Sequence, residues 1–241
     1  MVREHGIDEF CLYVKYICEN AAESVANMLC NFSLASNFPP LHSIQACEYM
    51  DDGTPLSLKL TIDRGERKAI FDFTGTGPEV KANTNAPRAI TKSAIIYSLR
   101  SLIQSEIPLN AGCLRPVQII IPENCILSPS QTAAVVGGNV ETSQKLVDLI
   151  LKPFGYVACS QGTMNNFLFG NEKYCYYETI CGGSGGGKGF EGRTVQCHMT
   201  NTRITDVEHL EDVYPVVLLA FKKRKDSGGK GKYRGGDGVT R

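Results

Sequence analysis

Between residues 42 and 73 apolar side chains recur at every second position, and no other feature restricts the fold as strongly. The runs "HSIQACEYM", "LSLKLTID" and "KAIFDFTG" are separated by the turn-forming clusters "DDGTP" and "DRGER". Successive side chains on a strand point to opposite faces, so Leu56, Leu58, Leu60 and Ile62 share one face that has to be covered. The pattern predicts an antiparallel meander over 42–73 with one side against a core. Upstream the period changes. Ile7, Phe10, Cys11, Val14, Ile17, Cys18, Ala21, Val25, Met28 and Leu29 are spaced by threes and fours, which predicts an amphipathic helix over 7–30, closed off by "SNFPP".

Residues 85–241 alternate between the two periods. "NAPRAITKSAIIYSLRSLIQSEIP" predicts a helix that starts near Pro87 and ends before Pro108, with Ile90, Ala94, Tyr97 and Leu102 in its apolar stripe. "RPVQIIIP" reads as a short buried strand, "ETSQKLVDLILKPFG" as a helix bounded by Pro153 and Gly155, and "YCYYETIC" as another strand. The expected class is α+β, with mixed helices and largely antiparallel sheets, and 1–241 forming part of one domain.

Charge is balanced at 25 basic and 25 acidic residues, and 42% of the chain is hydrophobic, enough for a sizeable core. No apolar run approaches about 18 residues and "MVREHGIDEF" is no secretory signal, so the expected setting is cytoplasmic, without a membrane. The ten cysteines are scattered with no CxxC pair and read as reduced, buried thiols. Zinc is disfavoured, because only His198 has a neighbouring cysteine, Cys197, and adjacent strand residues face apart.

"ETICGGSGGGKGFEG" (178–192) contains both GxxxxGK and GxGxxG, the spacings of phosphate-cradling loops. Neither is complete. A P-loop needs Ser or Thr after its lysine to reach Mg²⁺, and Lys188 is followed by Gly189; both motifs need a helix next, and "GFEGRTVQCHM" is a poor helix start. The plain alternative is a glycine loop between two strands, where backbone approaches backbone or ligand.

Three segments are polar beyond what a core or a surface loop requires: 137–144, 160–166 and 197–206. They hold Asn139, Glu141, Gln161, Asn165, Asn166, His198, Asn201, Arg203 and Asp206, which form either a structural hydrogen-bond network or the lining of a polar ligand site. His198 is the natural general acid or base, Glu141 sits where a carboxylate can cap a helix, and Glu178 ends a strand with no evident structural task.

The blocks "FDFTGTGPEVKANTNAPRAIT", "IPLNAGCLRP", "VVGGNVETSQKLVD", "CSQGTMNN", "YYETICGGSGGGKGFEG", "HMTNTRITD" and "RGGDGVTR" resemble, in that order, the hydantoinase B half of 5-oxoprolinases, from about residue 7 to Arg241. The resemblance implies ATP-driven hydrolysis of 5-oxo-L-proline to L-glutamate. It implies ATP and Mg²⁺ bound outside this chain, on an absent hydantoinase A-like half, and a divalent-metal site in B-half segments upstream. It assigns no cofactor or metal ligand here. Within it, His198 and Glu178 are expected to transfer protons, and Asn139, Glu141, Gln161, Asn165, Asn166, Asn201, Arg203 and Asp206 to bind or orient substrate. The chain reads as a fragment, inactive alone. Its expected partners are the A-like half, a small cyclic amide and further copies of itself, but no nucleic acid.

Two other readings stand beside this one. A truncated hydantoinase B-like module could assemble with a kinase-like partner without catalysing anything. The basic glycine tract with Lys222, Lys223, Arg224, Lys225, Lys230, Lys232 and Arg234 could bind single-stranded nucleic acid through phosphates, or its charges could be paired or solvated.

Overall fold

A computed structural model describes residues 2–108, 110–196 and 203–241. The meander forms as its alternation dictates: β1 (Leu41–Tyr49), β2 (Pro55–Asp63) and β3 (Lys68–Asp72) pair antiparallel, with Leu60 between Ile44 and Phe71. Leu56, Leu58, Leu60 and Ile62 are all buried, and each such side chain contributes about 1.5–3 kcal/mol. A fourth strand, β4 (Val117–Ile120), joins β3 in parallel. It is not the buried strand its composition suggests. As the last strand of the sheet it covers only one face, and Gln118 and Ile120 point to solvent.

Helix α1 (Val2–Ala35) is longer than its apolar period, with a non-helical break at Gly6. Ala21, Val25, Leu29 and Phe32 pack on the sheet, whereas no residue before Ala21 is buried, and Ile7 and Val14 lie open at 58% and 45% exposure. Helix α2 (Arg88–Leu102) starts after Pro87. Its buried face is Thr91, Ala94, Ile95, Ser98 and Leu99, one step round from the expected stripe. Tyr97 is turned outward, because its hydroxyl needs water or a polar partner. Helix α3 (Thr142–Leu151) buries Leu146, Val147, Leu149 and Ile150 and ends through a 3-10 turn at Gly155, φ +62°.

Beyond this core lie two small ladders, β5 (Asn166–Gly170) with β6 (Cys175–Thr179) and β7 (Lys222–Lys223) with β8 (Val239–Thr240), and a short helix α4 (Val207–Val213). The fold is α+β and, apart from β3–β4, antiparallel. Among the described cysteines only Cys113 and Cys125 are buried. Cys11 and Cys175 are exposed on outward positions of α1 and β6, and Cys159 is exposed in the loop before β5. No helix among the described residues is long and apolar enough to cross a membrane.

Candidate functional site

The glycine stretch folds as a hairpin. Gly182 exchanges backbone bonds with Gln196, at 3.0 and 2.8 Å, and Gly187 with Phe190, both at 3.1 Å, so Lys188 and Gly189 form the tip. Gly189 has φ +90°, the left-handed region a tight turn requires. Lys188 therefore heads a turn and not a helix, and no row of helix N–H groups stands behind it to cradle phosphates.

The hairpin is the middle of three backbone layers. Ala158 N–H donates to Gly186 on one side, and on the other Gly236 N–H donates to Ser184 and Gly192 N–H to Arg234. A methyl group at position 183 would sit 2.0 Å from the Gly236 carbonyl oxygen, so glycine is required there by contact with main chain. In any form of the protein that binds ATP, Lys188→Ala is expected to leave the affinity within about tenfold, roughly 1.4 kcal/mol. A nucleotide titration checks it, and a larger loss would restore the phosphate-loop reading.

One wall of the hairpin faces a cleft of about 650 Å³. It is lined by Gln161, Asn165 and Asn166, by glycines of the hairpin, and by Arg224 and Lys230 from the C-terminal glycine segment. Two of the polar segments singled out in the sequence meet here. Thr163 donates to the Glu141 carboxylate at 2.8 Å, Asn165 N–H donates to the Thr163 hydroxyl at 3.0 Å, and Asn165 Nδ2 donates to Gln161 Oε1 at 2.9 Å. Asn165 holds φ +51°, which asparagine tolerates better than other side-chain-bearing residues and which turns the chain into β5. Asn166 accepts from the Tyr177 hydroxyl at 2.7 Å.

Glu141 occupies the N-cap position of α3, but its side chain makes no capping bond. The Thr163 hydroxyl competes for it and ties the helix to the cleft loop instead. Asn139 is exposed and gives only its carbonyl, to Ser143. Asp206 caps α4 by accepting from Glu208 N–H at 3.1 Å, and Arg203 is exposed. His198 and Asn201 lie outside the described residues.

Glu178 has a different setting from the one expected. It is buried on β6 and does not line the cleft. Arg241 donates to both its oxygens, at 2.7 and 2.6 Å, Thr205 N–H donates at 2.6 Å, and the Tyr176 hydroxyl donates as well. The Arg241 side chain is as enclosed as its partner, and its NH2 group donates to the Thr205 carbonyl at 3.0 Å. Glu178 thus has the structural task that the sequence did not reveal.

Two further buried acids escaped the sequence reading. Asp237 of "RGGDG" accepts from Gly228 N–H at 3.0 Å and from Arg234 at 2.7 Å, and its other oxygen lies 3.5 Å from Lys223. The Gly228 amide, with Arg234 beside it, holds its carboxyl below the usual carboxylate range. Two cations of the basic tract are thereby paired. Asp148, inside the apolar run "LVDLIL", accepts from Ser160 N–H at 3.1 Å, and Ser160 in turn accepts from Gly185 of the hairpin at 3.2 Å. An acid within an apolar helix face was the available signal.

Burial pushes the Asp148 carboxyl from 3.8 up to about 6, against the Ser160 bond; Glu48 adds repulsion, Lys145 opposes it, and Tyr97 and Cys159 face the same group. The folded state holds this proton more tightly than the unfolded chain. The resulting stability is present in full below about pH 4 and is lost as pH rises through 6, by about 2–3 kcal/mol. Asp148→Asn is expected to remove this component from denaturation midpoints measured between pH 4.5 and 7.5.

A family model described as hydantoinase B/oxoprolinase matches residues 1–241. The chain belongs to this family. It is 54% identical over 242 residues to a 5-oxoprolinase of Dictyostelium discoideum and 50% identical over 249 residues to 5-oxoprolinase 1 of Arabidopsis thaliana, aligning along its whole length in both. It spans about a fifth of the length of these relatives, 19% and 20%. The fold matches the crystal structure of ATP-dependent caprolactamase from Pseudomonas jessenii with TM-score 0.84 at 19% identity, over 99% of this chain and 44% of that one. Among the described residues no group of three His, Cys, Asp or Glu side chains is placed to hold a metal ion.

Proposed function

We propose that this hydantoinase B-family chain forms the substrate-handling part of an ATP-dependent cyclic-amide hydrolase that opens 5-oxo-L-proline to L-glutamate. The observation that carries the reading is the convergence of Gln161, Asn165 and Asn166 with Arg224 and Lys230, two cations without an ion pair among the described residues, on one glycine-walled cleft. Asn165 gives its amide N–H to Gln161 and keeps Oδ1 as an acceptor. The ring N–H of a lactam is the complement of that acceptor, and a substrate carboxylate is the complement of the cations. Fixed donors around such a cleft also favour oxyanion charge that develops as water adds to the ring carbonyl.

A lactam is a resonance-stabilised amide, and ATP supplies the activation that water alone does not. The hairpin does not fit a nucleotide, so ATP and its Mg²⁺ belong to a hydantoinase A-like partner half. Proton transfer is assigned to His198; Glu178, its three donor groups already in place, holds Arg241 and the segment before α4.

The test is ATP-dependent release of glutamate from 5-oxoproline by this chain combined with an A-type half and the upstream B-half segments. Asn165→Ala should lower kcat/KM at least about tenfold, or roughly 1.4 kcal/mol, with the denaturation midpoint little changed. A complex that forms but releases no glutamate would favour the second reading, a non-catalytic module, to which the structural engagement of Glu178 lends support. Activity of this chain alone would overturn the division of labour.

A further inference from the structure

Behind the glycine wall stands an acid that the hydrolase reading leaves unused. Asp148 belongs to α3, is buried, and does not line the cleft; it borders a second cavity of about 630 Å³, which shares Ser160, Ser184 and Gly185 with the cleft. Its carboxylate accepts from Ser160 N–H at 3.1 Å, and the Ser160 hydroxyl accepts from Gly185 N–H at 3.2 Å. Two bonds therefore connect it to the wall. The same helix grips this loop again at its start, where Glu141 accepts from Thr163 at 2.8 Å, so the cleft residue Gln161 sits between two points held by α3.

Stability does not account for an acid here. Glu178 and Asp237, the other buried acids among the described residues, are met by arginines, whereas Asp148 makes no ion pair among them. Asparagine has the same shape and accepts from the same N–H without a charge being taken out of water. What only the acid has is two states. Ionised, it makes a charge-assisted bond, roughly twice as strong as a neutral one; protonated, it holds Ser160 no better than a neutral carbonyl does. Burial raises its carboxyl to about 6. The charged and titratable groups that face it are Glu48 on β1, Lys145 on α3, Tyr97 on α2 and Cys159 beside Ser160, and Glu191 and Arg193 line the same cavity.

We infer that Asp148 is a positioning residue of the cleft: its carboxylate fixes Ser160, Ser160 fixes Gly185, and the charge on a group outside the cleft sets how firmly the wall is held. A preorganised site needs its wall and donors fixed before the ligand arrives, so the ionised form is the competent one. The catalytic consequence rests on the hydrolase reading; the link between Asp148 and the wall does not.

Nuclear magnetic resonance of the isotope-labelled chain reads the link bond by bond. As pH is raised from 4.5 to 7.5 the amide resonances of Ser160 and Gly185 should shift together, with a midpoint at about 6, and Asp148→Asn should abolish both transitions. Ser160→Ala keeps the bond from the main-chain N–H to Asp148 and removes the hydroxyl, so the amide at position 160 should still titrate while that of Gly185 does not. In the assembly with an A-type half and the upstream B-half segments, kcat/KM for glutamate release should fall about tenfold from pH 7 to pH 5, as the ionised fraction does, and Asp148→Asn should flatten that fall. A Gly185 resonance that ignores pH, or that follows it equally in Asp148→Asn or Ser160→Ala, overturns the inference. So does a kcat/KM profile that Asp148→Asn leaves unchanged. An assembly that releases no glutamate while the two amides titrate as described sinks the hydrolase reading and upholds the link.

Discussion

Arg241→Ala is expected to destabilise the fold by about 3–5 kcal/mol, read as a lower urea midpoint with an unchanged slope. Glu178 and Arg241 are both enclosed, and the guanidinium meets the two carboxylate oxygens at 2.7 and 2.6 Å. Removing the cation leaves a buried carboxylate whose remaining donors, the Tyr176 hydroxyl and Thr205 N–H, are neutral. It also releases the Thr205 carbonyl and the cation–π contact of Arg241 with Phe221, 5.2 Å from the ring centre. The size of the loss comes from the unpaired charge and not from the pair's net worth, so the double variant Glu178→Leu/Arg241→Met should cost less than Arg241→Ala alone. Equal or additive losses would mean that the two groups are not coupled.

Gly183→Val should be comparably damaging, at or above the upper end of the ~1–3 kcal/mol usual for overpacking. The obstacle is main chain: the Gly236 carbonyl oxygen lies 2.0 Å from where the first side-chain carbon would be, and it cannot swing away like the end of a lysine. The hairpin has to part from the 233–238 layer and give up the bond from Gly236 N–H to Ser184. Gly229→Ala is the control. Nothing surrounds that position and its φ is not positive, so stability should change little. A folded Gly183→Val protein of unaltered midpoint would contradict the layered packing.

What could be read from the sequence follows from the range of the forces involved. Leu56, Leu58, Leu60 and Ile62 declared their face because burial of an alternating strand is a local pattern, and Pro87 marked the start of α2 for an equally local reason. Tyr97 was misplaced because the period alone does not say which of two adjoining stripes meets the sheet. The polar loops were visible as anomalies of composition, and Gln161, Asn165 and Asn166 do gather at the cleft. The partners of Glu141 and Glu178 were not legible. Thr163 and Arg241 lie 22 and 63 residues away from them, and no spacing rule reaches that far. Arg224 and Lys230 entered the cleft for the same reason, through a tertiary contact between the hairpin and the C-terminal glycine segment.

The three stacked layers of main chain also bear on how this site can diversify. A wall made of glycine backbone offers every ligand the same spacing of amide dipoles, and its residues are held in place by contact, so mutation there is filtered out by folding before chemistry is reached. Evolutionary change, or a directed-evolution library, has its room at the side chains that project past that wall, Gln161, Asn165, Asn166, Arg224 and Lys230 among them. New substrates would be acquired through such positions, on a scaffold that stays fixed while the lining varies.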